Sequence, residues 1–109
     1  MTHKGTATFI AQRASAVILL FPLIWFLAGA VAHANTSYEE MRAWIATPLS
    51  ALMMGLLIGA GAFHMRIGVD EIIDDYASKG FRGVWKLLNL FACLGVAALG
   101  IWSLYTISA

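Results

Sequence analysis

The chain has 109 residues, of which 61% are hydrophobic and 12% charged, and its formal net charge is +1. A water-soluble domain of this length buries too small a share of its surface to hide so much apolar area, so the composition excludes an ordinary soluble domain. The near-neutral charge gives no indication of nucleic-acid binding. The single cysteine, Cys93, has no partner for a disulfide or a metal cluster, and we interpret it as a small core residue.

Three apolar stretches predict an all-α membrane protein with three transmembrane helices. We place the spans at about 12–33, 48–77 and 83–107, the second with a cytoplasmic extension, because about 20 apolar residues cross the hydrocarbon core. No repeat or linker divides the sequence, so residues 1–109 are interpreted as a single membrane-anchor domain. The lack of signal-peptide or presequence features predicts a mature, multi-pass protein of the bacterial inner (cytoplasmic) membrane.

The distribution of lysine and arginine predicts the orientation of the spans. Lys4 and Arg13 lie before or at the start of the first span, and Arg42 alone lies between the first and second. The other four, Arg66, Lys79, Arg82 and Lys86, lie in or between the facing ends of the second and third spans. The positive-inside rule therefore places the N-terminus in the cytoplasm and the C-terminus in the periplasm.

The first span contains Pro22 near its middle, which predicts a kink because proline removes a backbone donor. Arg13 stands where this span begins. Two interpretations of Arg13 remain open, a positive-inside anchor or the partner of a carboxylate such as a haem propionate. Ser15 is expected to satisfy a carbonyl group of its own helix. The segment 33–46 that follows is interpreted as a short loop.

The second span has a clear predicted start. Thr47 can cap a helix, and Pro48 fits the first helical position, where its missing N–H costs nothing. Gly80 is the predicted stop. The resulting helix of about thirty residues would be about 45 Å long and would project beyond the hydrocarbon core.

Small residues inside the second span predict the close approach of another helix or of a flat cofactor. The series consists of Gly55, Gly59 and Ala62, with Gly61 and Gly68 adding space around His64.

His64 lies in the inner part of the second span, where an ionisable side chain is costly and usually functional. Three interpretations remain open: packing against a neighbouring helix, a proton relay, and axial ligation of a haem by a neutral imidazole. His3 is predicted in the N-terminal tail and His33 on the opposite membrane side, so neither can be a trans-axial partner. A haem with two histidine ligands would need the second from another chain.

Asp75 and Tyr76 follow His64 by eleven and twelve residues. Eleven residues make about three helical turns, so His64 and Asp75 are expected to share one helix face. The pair is interpreted either as ordinary interfacial residues or as a quinone site, because a phenol beside a carboxylate can bond to the oxygens of a quinone. The nearby carboxylates Asp70, Glu71 and Asp74 are interpreted as a solvated acidic face.

The polar positions of the first two spans fall into two sequence motifs, one in each span. One is Gln12-Arg13-Ala14-Ser15-Ala16, followed by Pro22-Leu23 and Trp25, and the other is His64-x3-Gly68-x6-Asp75-Tyr76. Together with the three spans and the chain length, these motifs resemble the hydrophobic membrane anchor, or D-type anchor chain, of succinate dehydrogenase (respiratory complex II), especially its alphaproteobacterial form. The resemblance covers essentially the whole chain.

The resemblance implies a role for each of these residues. His64 would be an axial ligand of a b-type haem, paired with a histidine of the C subunit. Tyr76 would hydrogen-bond ubiquinone with Asp75 in the same pocket, and Arg13 would lie near the haem propionates and the quinone. Relatives often have glutamate before the Asp-Tyr pair, where this sequence has Asp74.

The implied function is that of a non-catalytic subunit of an enzyme complex, the membrane anchor of succinate:ubiquinone oxidoreductase in the tricarboxylic acid cycle and respiratory electron transport. The implied partners are a cytochrome b556-type C subunit, an iron–sulfur subunit, a flavoprotein subunit and membrane lipid. The implied cofactor is haem b, shared with another subunit, and ubiquinone is the substrate. Two alternatives stay open, an anchor of a quinol:fumarate reductase and a small non-redox membrane scaffold in which His64 only packs.

Overall fold

The computed structural model describes residues 3–108, with side chains from residue 5, so the side chains of His3 and Lys4 lie outside the described part. Its elements are α1 (His3–Ala32), α2 (Tyr38–Ile45), α3 (Pro48–Tyr76), a 3₁₀ turn (Lys79–Phe81) and α4 (Arg82–Ser108). No strand occurs within residues 3–108. Three of the helices are long and apolar enough to cross a membrane, which confirms the predicted all-α membrane fold.

Helix α1 has 30 residues and begins at His3, well before the apolar run. At 1.5 Å per residue it is about 45 Å long, so its first turns extend beyond a hydrocarbon core of about 30 Å. The helix continues through Pro22, whose side chain is fully buried. Transmembrane helices tolerate an internal proline because neighbouring groups satisfy the freed carbonyl.

The segment between the first two spans contains helix α2, so the prediction of a loop over residues 33–46 is wrong for this part. Ser37 caps α2 by accepting a hydrogen bond from the Glu40 backbone N–H at 3.2 Å. Glu39 and Glu40 occupy the first turn, where their negative charges stabilise the helix by interacting with its dipole. The Ser-x-x-Glu spacing is a capping-box signature that could have revealed this helix in the sequence.

Helix α3 starts as predicted and, with 29 residues, has about the predicted length, but it does not stop at Gly80. The Thr47 hydroxyl accepts from the Ser50 N–H at 3.3 Å, and Pro48 occupies the first turn. The helix ends at Tyr76, and Gly80 lies in the 3₁₀ turn instead of terminating α3. The Arg82 side chain donates to the Ala77 carbonyl at 3.3 Å and so ties this turn to the helix end.

Helix α3 is the centre of the arrangement. Helices α1 and α4 each pack on α3 and, within the described residues, not on each other. Each span has a most apolar stretch of 18 residues. Only 11% of this stretch is buried inside the chain in the first span, 6% in the second and 11% in the third. Most of the apolar surface is therefore left for lipid or for other membrane subunits.

The contact between α3 and α4 is held by a buried polar group. The Asn89 amide donates to the Arg66 carbonyl at 2.9 Å and to the Asp70 carboxylate at 2.8 Å. Its oxygen accepts from Cys93 at 3.4 Å, and Cys93 is buried, which confirms its interpretation as a core residue. Since all polar atoms of this buried amide are bonded, Asn89 fixes the register of the two helices without an unpaired group.

At the C-terminal end of α1, helix α2 is held in place by aromatic packing. The Trp44 ring stacks on His33, with ring centroids 4.6 Å apart, and lies tilted against Trp25 at 5.3 Å. The side chain of Trp44 lies directly over Gly29, where a Cβ atom would overlap the indole ring. Because residue 29 has no side chain, the space next to it is available to the Trp44 ring.

We expect Gly29→Ala to destabilise the docking of α2, because the added methyl group must displace Trp44 from its aromatic neighbours. Overpacking of this kind costs about 1–3 kcal/mol. The measurement is the thermal unfolding of the purified assembly in detergent. The matched control is Gly95→Ala in α4, where a Cβ would meet no atom within 4 Å. Equal unfolding temperatures for the two variants would contradict the role of Gly29.

Candidate functional site

The residues around His64 sit at the contact between α1 and α3. The two helices run antiparallel there, because Leu19 faces Gly61, Ser15 faces His64 and Gln12 faces Gly68. A Cβ added to Gly68 would lie 3.4 Å from the Gln12 side-chain nitrogen, so the small residues on α3 allow α1 to come close.

Only part of the predicted small-residue series is used within the chain. Gly61 and Gly68 face α1 on the two sides of His64. This agrees with the expectation that they provide space around this residue. Gly55 and Gly59, by contrast, have no atom within 4 Å of an added Cβ, so no helix in the described part of the chain packs closely over these two positions.

His64 is half-buried and is held through one ring nitrogen. Its Nδ1 lies 2.8 Å from the Ser15 hydroxyl, which in turn donates to the Gln12 carbonyl at 2.9 Å. The bond from Ser15 to its own helix confirms the sequence-based expectation. The bond to His64 was not expected. The other ring nitrogen, Nε2, has no hydrogen-bond partner among the described side chains, which begin at residue 5, or the described backbone.

A cleft of about 910 Å³ opens between α1 and α3 beside His64. It reaches the end of the molecule where the N-terminal turns of α1 meet the last turns of α3 and the first turns of α4. We call this end the polar end. The cleft is lined by Gly5, Thr8, Phe9, Gln12, Arg13, Ala16, His64, Glu71, Asp74 and Lys86.

The charged groups of the cleft differ in their pairing. Lys86 forms an ion pair with Asp74 at 2.7 Å, across α3 and α4. Arg13 is exposed and lies over the Phe9 ring at 5.1 Å, and it has no carboxylate partner among the described side chains. The cleft therefore offers a guanidinium group that is available to an anionic ligand.

One of the residues that line the cleft has an unsatisfied polar atom. The side-chain oxygen of Gln12 is buried and has no hydrogen-bond partner among the described residues. Buried polar atoms in folded proteins are nearly always bonded, so an orphaned one beside a cleft fits a site completed by a ligand or a second chain. Sequence reasoning included Gln12 in a motif but gave it no role.

Asp75 and Tyr76 are not brought to the cleft wall within this chain. Both are exposed at the end of α3, and the Tyr76 side chain is 85% exposed. The carboxylates that line the cleft are Glu71 and Asp74. Of the four residues singled out from the sequence, the structure thus brings His64 and Arg13 together and leaves Asp75 and Tyr76 on an open surface.

His33 occupies the opposite end of α1. Its Nδ1 donates to the Gly29 carbonyl at 2.8 Å, and its ring stacks on Trp44. Eighteen residues separate it from Ser15, which is about 27 Å along the helix axis. His33 therefore cannot share a ligand with His64.

No cluster of three or more His, Cys, Asp or Glu side chains within the described residues could enclose a metal ion. A haem needs fewer protein ligands than a bare metal ion, because the porphyrin supplies four ligands and the protein only one or two axial ones. A lone imidazole with one free nitrogen, a large cleft and an unpaired guanidinium group fit such a cofactor better than they fit a bare ion.

The chain has three helices of membrane length, and a cleft that contains a histidine lies where two of them meet. These features define a small multi-pass membrane subunit. Most of its surface is left for lipid and partner chains. The chain belongs to the family of succinate dehydrogenase/fumarate reductase transmembrane subunits, because the model of that family matches residues 1–102. It is a multi-pass inner-membrane protein of the anchor type.

Two curated relatives agree with this assignment. The succinate dehydrogenase hydrophobic membrane anchor subunit of Paracoccus denitrificans is 28% identical over 102 residues, which cover 94% of this chain and 79% of the relative. The protein of the same description from Rickettsia bellii is 24% identical over 106 residues, with 97% and 78% covered. The resemblance drawn from the two sequence motifs is thereby confirmed at the level of the family.

Proposed function

We propose that this chain anchors a succinate:ubiquinone oxidoreductase in the membrane and contributes one axial ligand to a b-type haem. The observation that carries the proposal is His64, which lines a large cleft and whose Nε2 has no hydrogen-bond partner among the described groups. Neutral imidazole is the usual protein ligand of haem iron in such sites. Because His33 lies at the opposite end of α1, the second axial ligand would come from another chain, and we assign it to the C subunit.

The cleft residues suit the rest of such a cofactor. Arg13 would hold a propionate through its planar guanidinium group, and Gln12 would supply a polar contact at the same end. Phe9 and Ala16 are the apolar side chains of the cleft lining and would contact the porphyrin ring. When bound, the haem supplies one-electron redox chemistry, while the protein fixes its position and its electrostatic surroundings.

Tyr76 and Asp75 would form one wall of the ubiquinone site. Their exposure in the isolated chain leaves the tyrosine hydroxyl available to a ligand held between this chain and its partners. A phenol donates to a quinone carbonyl oxygen, and that bond strengthens as the oxygen gains negative charge during reduction. Asp75 would orient the phenol or pass protons.

The partners proposed for the chain are the C subunit, the iron–sulfur subunit and the flavoprotein subunit. The small buried share of each span supports a membrane partner, because lipid alone does not explain the unused small residues Gly55 and Gly59 on α3. The positive-inside rule places the polar end, with His64 and Tyr76, on the cytoplasmic side. The soluble subunits would dock there.

The test is to purify the assembly through a tag on this chain in mild detergent. Mass spectrometry should find the three partner subunits and ubiquinone, and a dithionite-reduced spectrum should show a b-type α-band. A preparation that contains the partner subunits but no haem would contradict the haem proposal. A preparation without any other chain of a succinate dehydrogenase would contradict the anchor proposal as well.

An anchor of a quinol:fumarate reductase is the second candidate, because the matched family includes fumarate reductase subunits. The two functions differ in the direction of turnover and in the potential of the quinone. Succinate-driven quinone reduction and fumarate-driven quinol oxidation, measured on the same purified complex, would separate them.

We expect Arg13→Lys to shift the haem potential or to lower quinone reduction several-fold. Lysine keeps the charge but loses the planar fork that binds a carboxylate through two bonds. The matched control is Arg42→Lys on α2, an exposed arginine at the opposite end of the molecule, which should behave as wild type. Wild-type values for Arg13→Lys would return Arg13 to the role of a positive-inside anchor.

A further inference from the structure

Ser15 is the side chain that holds the imidazole of His64. It is only 4% exposed, and its hydroxyl contacts Nδ1 of His64 at 2.8 Å and the Gln12 carbonyl at 2.9 Å. It lies between two close approaches of α1 to α3, where Leu19 faces Gly61 and Gln12 faces Gly68. A short side chain can bridge the helices here because the flanking glycines bring them together.

The direction of the two bonds follows from counting protons. A serine hydroxyl has one hydrogen, and a carbonyl oxygen can only accept. The 2.9 Å contact with Gln12 therefore uses the Ser15 hydrogen. The 2.8 Å contact with His64 then requires that Nδ1 carries a proton and donates it to the serine oxygen. In the neutral ring this leaves the lone pair on Nε2.

We propose that Ser15 is a positioning residue for haem ligation, an inference that rests on the proposed function. It holds His64 in the tautomer that presents an unprotonated Nε2, and it fixes the plane of the ring. Hydrogen bonds from the second nitrogen of a ligating imidazole orient the ligand and raise its basicity. The chain from Nδ1–H through the Ser15 hydroxyl to a helix carbonyl strengthens this effect, because linked hydrogen bonds polarise one another.

The effect on the haem has a predictable sign. A more basic imidazole donates more electron density and favours ferric iron over ferrous iron. Loss of the Ser15 acceptor should therefore raise the haem potential. Removing the hydrogen-bond partner of a ligating imidazole alters metal binding by about 10–100-fold. A tenfold change in the ratio of the two iron states corresponds to about 59 mV for a one-electron couple.

The test compares four variants of the whole complex. Ser15→Ala and Ser15→Val remove the hydroxyl, whereas Ser15→Thr keeps it and has nearly the same shape as valine. Ser103→Ala is the matched control, because Ser103 is an exposed serine on α4 that bonds only the Leu99 carbonyl of its own helix. The readouts are haem content, the redox potential of the haem and its low-spin electron paramagnetic resonance spectrum.

We expect Ser15→Ala and Ser15→Val to raise the potential and change the resonance spectrum, or to lose haem. Ser15→Thr and Ser103→Ala should stay close to wild type. Equal behaviour of the threonine and valine variants, whether both are normal or both are defective, would overturn the role of the hydroxyl.

The His64→Ala variant separates this inference from the proposed function. If His64→Ala loses the haem while all Ser15 variants match wild type, His64 is the ligand and Ser15 is not its positioning residue. If His64→Ala keeps a wild-type haem, the proposed ligand itself is wrong, and the inference about Ser15 is overturned with it.

Discussion

Replacing His64 with alanine is expected to remove the b-type haem from the assembled complex or to leave its iron with an altered ligand. An alanine offers no nitrogen, and His33 lies at the opposite end of α1, too far to take over. The measurement is the reduced-minus-oxidised spectrum together with the haem content per complex. We expect loss of the b-type α-band or a change to a spectrum of different ligation.

The matched control for this variant is His33→Ala. His33 is held by a helix carbonyl and a stacked tryptophan at the opposite end of α1. Its loss should leave the haem spectrum unchanged and affect only the packing of α2. A normal spectrum and normal haem stoichiometry in His64→Ala would falsify the assignment of His64 as a ligand.

The second large effect is expected from Tyr76→Phe, which removes one hydroxyl and keeps the ring. A hydrogen bond to a neutral acceptor contributes about 0.5–1.5 kcal/mol, and more when the acceptor becomes charged. Succinate-driven quinone reduction should therefore fall by roughly two- to tenfold or more. Oxidation of succinate by an artificial acceptor that draws electrons from the soluble subunits should persist, because those subunits do not need the phenol.

Tyr38 provides the matched control for Tyr76. It is likewise exposed, at 76% against 85%, and it lies on α2 at the opposite end of the molecule. Tyr38→Phe should leave both activities unchanged. If Tyr76→Phe reduces quinone at the wild-type rate, or impairs both activities equally in a fully assembled complex, Tyr76 is a structural residue and the quinone contact is wrong.

The sequence by itself was enough for the three spans and for the start of α3. Apolar runs of membrane length need no partner to be recognised, since the lipid imposes backbone hydrogen bonding within each helix. The cap formed by Thr47 and Pro48 is equally local, because the bonds that satisfy a helix start come from the adjacent residues. His64 stood out for the same reason, as the cost of an imidazole in hydrocarbon depends only on its position in the span.

The end of α3 and the helix α2 show where local signals compete. Gly80 favours a helix stop, yet the helix ends at Tyr76 and the glycine falls in a 3₁₀ turn tied back by Arg82. The capping residue Ser37 was present in the sequence, but an eight-residue helix is too short to be stable alone. Its docking through Trp44 on Gly29 could be seen only in three dimensions.

The tertiary structure decided which polar residues meet. Ser15 and His64 are 49 positions apart, and only the register of antiparallel α1 and α3 brings the hydroxyl to Nδ1 at 2.8 Å. The same register places Arg13 and Gln12 in the lining of the cleft and leaves Tyr76 on the open surface. A sequence determines what each residue can do within its own helix, whereas contacts between helices depend on packing distances that no local pattern encodes.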